Sequence, residues 1–158
     1  MKKGILFLSV ITLALILAAA GMVQAHCEIP CGIYDDDMRY DMLEEHITTM
    51  EKSMNKIAEL SAEGEKNYNQ LIRWVVNKEN HADKFMEIVT QYFLTQRIKP
   101  AAPDAGAAYD DYLNHLTLYH QMLVTAMKCK QTVDLENIAK LKELVADSRA
   151  LYFKEHKH

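Results

Sequence analysis

The chain has 158 residues, of which 49% are hydrophobic and 25% are charged, with 18 Lys and Arg against 22 Asp and Glu. Five Gly and three Pro are too few for a turn-rich β-sandwich or a low-complexity chain. The net charge of −4 and the lack of a basic cluster argue against nucleic-acid binding. These quantities indicate one mostly helical globular domain.

The first segment, residues 1–25, is predicted to be a secretory signal peptide, because two lysines precede the apolar stretch Ile5–Ala20 and small residues follow it. Small residues at the −3 and −1 positions place cleavage after Ala25, so that His26 would become the N-terminus. The alternative is an uncleaved membrane anchor, since the uncharged stretch is long enough to span a bilayer. We therefore expect an exported protein, periplasmic or extracellular, that contacts the membrane only through an uncleaved leader.

The second segment, residues 26–34, has the sequence HCEIPCGIY and is called the hook below. A free N-terminus would give four donors in one plane: the His26 amine, the Cys27 amide nitrogen, and the thiolates of Cys27 and Cys31. The His26 imidazole could approach along the axis. This set of nitrogen and sulfur donors suits Ni(II) or Cu(II) better than tetrahedral zinc. Because anionic amide and thiolate donors stabilise a higher oxidation state, nickel held in this way could alternate between Ni(II) and Ni(III).

A simpler interpretation of the hook is structural. In an exported protein, Cys27 and Cys31 could form a disulfide or bind another soft metal. The third cysteine, Cys129, is then expected to be a buried or half-buried thiol. Among the remaining histidines, His158 alone follows a Glu by three residues, and because a di-iron bundle needs two such E-x-x-H motifs, a di-iron site is not predicted.

Residues 35–158 are predicted to fold as helices, because apolar side chains recur there every three or four residues. The first helix is expected to start at the acidic run 35–37 and to end at Gly64. The second is expected over 65–99, with a bend or break at 77–80, and a loop should follow at 100–106. The third helix is expected over 107–130, and the fourth should start near Asp134. Short connections favour an all-α, up-and-down antiparallel four-helix bundle that carries the metal-binding hook at its N-terminus.

The side chains expected in the core follow one stripe on each helix. They are Leu43, Ile47, Met50, Met54 and Ile57 on the first; Tyr68, Leu71, Ile72, Val75, Val76, Phe85, Met86, Val89, Phe93 and Ile98 on the second; Tyr109, Leu113, Leu116, His120, Leu123 and Met127 on the third; and Leu135, Ile138, Leu141, Val145 and Tyr152 on the fourth.

The hook resembles the mature N-terminus of the nickel-containing superoxide dismutases, whose pattern is H-C-x-x-P-C-G-x-Y. All six fixed positions match. The resemblance implies a four-helix subunit, a homohexamer, a nickel ion as cofactor and superoxide as substrate. It also implies that His26, Cys27 and Cys31 bind nickel and that Tyr34 controls access to it. The segment Gln91-Tyr92-Phe93 is similar to a D-Y-F segment of the family, which implies that Tyr92 is a second channel tyrosine.

The implied reaction is disproportionation of superoxide to oxygen and hydrogen peroxide through a Ni(II)/Ni(III) cycle. In the family, a Glu on the first helix and an Arg on the second hold the axial imidazole. Asp41, Glu44 or Glu45 could supply this carboxylate and Arg73 the cation, although counting from the hook places Met42 at the position of the acid. The alternative function is that of a non-enzymatic exported helical bundle that carries or buffers nickel or copper.

Overall fold

The computed structural model describes residues 35–155, which fall within one unit, Gly32–His158. The predictions for residues 1–34, namely the signal peptide 1–25, the hook 26–34 and the roles of His26, Cys27, Cys31 and Tyr34, lie outside the described residues. No strand occurs between residues 35 and 155. The helices there are α1 (Asp36–Ala62), α2 (Tyr68–Glu87, which continues as a π-helix over Ile88–Arg97), α3 (Ala107–Gln131) and α4 (Leu135–Glu155).

The four helices form a closed antiparallel ring. Each helix packs against the helices that precede and follow it in the chain, and α4 packs against α1. The direction of α4 relative to α1 follows from two ion pairs, since Glu51 contacts Lys142 whereas Asp41 contacts Arg149. The predicted up-and-down four-helix bundle is therefore confirmed. Within the described part of the chain, no helix combines the length and hydrophobicity that a membrane span requires.

The ends of α1 lie where the sequence predicts them. The Asp35 side chain accepts a hydrogen bond from the Asp37 backbone N at 2.9 Å, which satisfies one of the free N–H groups of the first turn. Gly64 has a φ of +75°, a conformation that glycine adopts without steric cost, and it directs the chain away from the helix. A short 3₁₀ turn, Gly64–Asn67, then leads into α2.

The predicted core is confirmed on α1 and over most of α4. The buried predicted residues are Leu43, Ile47, Met50, Met54 and Ile57 on α1 and Ile138, Leu141, Val145 and Tyr152 on α4. Leu135 is wrongly predicted, because its side chain is 43% exposed at the start of α4.

Of the bend or break predicted at residues 77–80, the break is wrong, because α2 is continuous there. Lys78 is only 4% exposed, and its ammonium donates to the carbonyl oxygens of Cys129 at 2.8 Å and Thr132 at 3.1 Å. A third bond goes to the Lys130 carbonyl oxygen. The polar residue thus caps the C-terminus of α3, where carbonyls lack helical partners and a positive charge is favourable.

The position of Lys78 also explains why predicted core residues in the first part of α2 are exposed. Since α3 ends opposite Lys78, the residues of α2 that precede it extend beyond the end of α3. Phe85, Val89 and Phe93, which follow Lys78, are fully buried as predicted. Of the predicted core residues before it, Leu71 is half-buried and the others are exposed, at 55% for Tyr68, 60% for Ile72, 37% for Val75 and 49% for Val76.

The predicted stripe on α3 is wrong by one step around the helix. Leu113 is 41% exposed, Met127 is 44% exposed and His120 is exposed, whereas Leu116 and Leu123 are only half-buried. The side chains that α3 buries are His115, Tyr119, Met122, Thr125, Ala126 and Cys129. Both stripes are rich in apolar residues, so periodicity alone does not select one. Burial raises the pKa of the Cys129 thiol to about 11, and the predicted buried thiol is confirmed.

Replacement of Lys78 by Met should lower the free energy of unfolding by about 3 kcal/mol, because the last carbonyls of α3 would lose a charged hydrogen-bond donor. Chemical denaturation monitored by circular dichroism measures this change. Lys52→Met, at an exposed position on α1, is the control and should change stability by less than about 0.5 kcal/mol. Equal stability of the two variants would contradict the capping role of Lys78.

Candidate active site

Tyr92 is the described residue with a predicted catalytic role, and its hydroxyl donates to Asp36 Oδ1. The same oxygen accepts from Arg97 Nε at 2.7 Å, and Tyr152 Oη donates to Oδ2 at 2.7 Å. Asp36 is the first residue of α1, Tyr92 and Arg97 belong to the π-helical end of α2, and Tyr152 belongs to α4. Three helices therefore meet at one carboxylate, and we call these four residues the Asp36 cluster.

The π-helix explains why Tyr92 and Arg97 both reach Asp36. Its hydrogen bonds close between residues five apart, as in the bond from Ile98 N to the Phe93 carbonyl at 3.0 Å. Residues at i and i+5 consequently lie near the same side, whereas in an α-helix they point in different directions. The wider turn also buries the adjacent side chains of Tyr92 and Phe93.

Charge and burial fix the protonation states of the cluster. Burial alone would raise the pKa of Asp36, but the hydrogen bonds from Tyr92, Tyr152 and Arg97 outweigh burial and lower it below its ordinary value. Burial, together with the hydrogen bond to Asp36, raises the pKa of Tyr92 to about 12. The Arg39 guanidinium lies over the Tyr92 ring, 4.9 Å from its centroid. At neutral pH Asp36 is ionised and Tyr92 keeps its proton.

A layer of buried aromatic side chains packs against the cluster. Tyr40 and Tyr119 are fully buried and their hydroxyls lie 2.8 Å apart, while the Tyr40 hydroxyl lies 3.0 Å from Ser148 Oγ. The Phe93 ring packs against both tyrosines, with centroids at 4.6 Å from Tyr40 and 5.2 Å from Tyr119. Because these polar groups are paired and the rings are packed, the backbone that carries Tyr92 is held in one place.

A surface cavity of about 360 Å³ extends to the Asp36 cluster. Its lining includes Arg97, Lys99, Asp111 and His115 from α2, the following loop and α3. Arg97 both lines this cavity and binds Asp36. Solvent and small anions in the cavity can therefore reach the Arg97 side chain of the cluster.

The structure does not bring together the residues proposed to hold the axial imidazole. Asp41 and Glu44 each contact Arg149 of α4 at 2.9 Å. Arg73 lines a different cavity, of about 410 Å³, between α1 and α2. Glu45 is exposed, and Met42 is half-buried against the core. Between residues 35 and 155 there is no group of three or more potential metal ligands.

Sequence reasoning missed the partners of Tyr92. Asp36 was assigned only to the acidic start of α1, although its position two residues after Tyr34 is a signal that could have identified it. Arg97 carries no such signal, because its proximity to Tyr92 depends on the π-helix. An unpredicted pair, His46 and His81, joins α1 to α2.

Comparison with known families covers both the hook and the bundle. The family model of nickel-containing superoxide dismutases matches residues 21–157. The chain belongs to this family. No curated protein and no solved structure matches the chain. As a nickel-containing superoxide dismutase it is an oxidoreductase that acts on superoxide with a nickel cofactor, which confirms the predicted family, enzyme class and cofactor.

Replacement of Asp36 by Asn should lower the free energy of unfolding at pH 7 by about 2 kcal/mol, because the charged acceptor of hydrogen bonds from three side chains is lost. Since the folded-state pKa of Asp36 is lowered, its stabilisation is present above the ordinary value of 3.8 and is lost as pH falls through the folded-state value. Urea denaturation of both proteins from pH 7 to pH 2 measures the difference. A difference that stays constant with pH would contradict the assignment.

Proposed function

We propose that this enzyme disproportionates superoxide to oxygen and hydrogen peroxide at the hook. Nickel bound by His26, Cys27 and Cys31 would supply the one-electron Ni(II)/Ni(III) chemistry. The donor set fits this role, because thiolate and nitrogen ligands suit Ni(II) and stabilise its oxidised form. The observation that carries the proposal is the family match, which includes the whole hook.

The Asp36 cluster supports the assignment of Tyr92 to the site. Covalent geometry limits the Cα separation of Tyr34 and Asp36 to at most roughly 7 Å, since they are two residues apart. Tyr92 donates to Asp36, so its hydroxyl lies close to the point where the hook joins α1. We assign Tyr34 and Tyr92 to the control of anion approach.

The charge state of Tyr92 limits what it can do there. With a pKa of about 12 and its O–H bound to Asp36, Tyr92 holds its proton throughout the neutral range. The reaction consumes two protons for each hydrogen peroxide formed. We infer that these protons come from water, for which the cavity beside Arg97 offers a route. We also infer that Tyr92 controls the approach of superoxide while it keeps its own proton.

Export would prepare the hook for nickel. Cleavage after Ala25 would release the His26 amine, which a peptide bond otherwise makes unavailable as a ligand. We propose that signal peptidase performs this step and that the mature enzyme acts in the periplasm or outside the cell. The positively charged start and apolar core of residues 1–25 support this proposal.

We also propose that the subunit assembles as a homohexamer. Within the described residues, large apolar side chains are exposed on two helices, and apolar surface of this kind can form contacts between copies of a subunit. One set lies on the first half of α2 and includes Tyr68, Ile72 and Val76. The other set, Leu113 and Met127, lies on α3.

The family match favours the enzyme over the exported metal carrier, since both would bind nickel but only the enzyme turns over superoxide. We expect Cys27→Ser and Cys31→Ser each to lose nickel and to reduce dismutase activity at least 100-fold, because each removes a thiolate ligand. Nickel content and the rate of superoxide decay after pulse radiolysis measure the two effects.

Cys129→Ala is the matched control, because this buried thiol lies on α3 and should not affect nickel binding. It is expected to retain the nickel and activity of the wild-type enzyme. Full activity in either hook variant would contradict the proposed ligands. Nickel binding without turnover in the wild-type protein would instead favour the carrier.

A further inference from the structure

Two histidines face each other between α1 and α2. The Nδ1 atoms of His46 and His81 lie 3.0 Å apart, and the two rings are inclined by 74°. His46 is 8% exposed and His81 is half-buried, so the pair is reached from solvent along the side of His81. Neither residue belongs to the hook or to the Asp36 cluster.

The surroundings keep both imidazoles neutral. Burial is the main cause that lowers the pKa of each ring, and the positive charge of Lys84 acts in the same direction. The second imidazole lowers the pKa of His46 further, whereas Glu45 raises the pKa of both. At neutral pH one ring must therefore donate its Nδ1–H to the Nδ1 lone pair of the other.

We propose that His46 and His81 form a second metal site, for a divalent transition-metal ion that prefers imidazole, with water completing the coordination. Metal–nitrogen bonds of about 2.0–2.1 Å across a 3.0 Å gap give an N–metal–N angle near 90°. This angle suits the tetragonal preference of Cu²⁺ better than a tetrahedral ion. The two side chains come from adjacent helices, so bound metal would cross-link α1 to α2.

Binding at this site requires a change of tautomer and no net loss of protons. In the free pair one ring carries its proton on Nδ1, and this proton moves to Nε2 through solvent. Both Nδ1 lone pairs then bind the metal while both rings keep an Nε2–H. Nearby, Glu45 on α1 and Lys84 on α2 carry opposite charges. Because binding releases no proton from the neutral pair, the affinity for the metal should be constant at pH values above the ordinary histidine pKa. It should fall at lower pH, as acid protonates the rings.

The test uses the full chain with the hook disabled by His26→Ala, Cys27→Ser and Cys31→Ser, so that the hook does not compete for copper. Titration with Cu²⁺ at pH 7.5, followed by electron paramagnetic resonance, should detect one ion per chain bound by two imidazole nitrogens. His46→Gln and His81→Gln in this background should each weaken binding at least tenfold. His120→Gln, at an exposed position on α3, is the matched control and should leave binding unchanged.

Copper binding that neither glutamine variant weakens would overturn the proposal, as would a spectrum with fewer than two imidazole nitrogens. Circular dichroism checks that each variant keeps its helices. If a variant fails to fold, imidazole nitrogen NMR of the hook-disabled parent with substoichiometric Cu²⁺ decides the question. Paramagnetic broadening should be strongest for the Nδ1 resonances of His46 and His81, and broadening confined to other histidines would overturn the site.

Discussion

The Asp36 carboxylate is the interaction on which the rest of the candidate site depends. It is partly buried, and this costs free energy unless its oxygens are paired. Tyr92, Arg97 and Tyr152 pair them from α2 and α4, so the start of α1 is held against the ends of two other helices. In the sequence, Tyr34 at the end of the hook precedes Asp36 by only two residues.

At the opposite end of the bundle, the buried charge of Lys78 also holds one helix against another. Lys78 binds the last carbonyls of α3 and thereby fixes how far α2 extends past it. A purely apolar core tolerates sliding of helices, whereas a charge with fixed hydrogen-bond partners penalises it. Asp36 and Lys78 thus set the register of the helices, and the π-helix adjusts the end of α2 so that Tyr92 meets Asp36.

The sequence predicts the fold well where local signals and burial agree. The stripe of α1, its acidic N-cap and the glycine at its end were all correct, since each has a mechanism that acts within a few residues. The predictions were wrong where tertiary context decides. The polar residue Lys78 suggested a bend or break in α2, because the carbonyls that it binds lie on another helix. On α3, two stripes are similarly rich in apolar residues, so the pattern did not show which one is buried. His46 and His81 are 35 residues apart, so no local pattern could pair them.

In the candidate site, too, local sequence predicts one part and tertiary packing decides the other. The proposed nickel ligands come from nine consecutive residues, because chelation by a free N-terminus is a local chemical property. The supporting residues were not, since Arg97 reaches Asp36 only through the π-helix and Asp41 and Glu44 bind Arg149 instead of facing α2. A short motif therefore predicts the metal chemistry of this chain, while the partners of Tyr92 depend on the packing of the bundle.

The central claim is that export exposes His26 and that the exposed hook binds nickel. The most direct measurement is the intact mass and the elemental composition of the protein purified from its native exported fraction. The account predicts a chain that starts at His26 and carries about one nickel per subunit. A chain that retains residues 1–25, or one that holds a Cys27–Cys31 disulfide and no nickel, would contradict it.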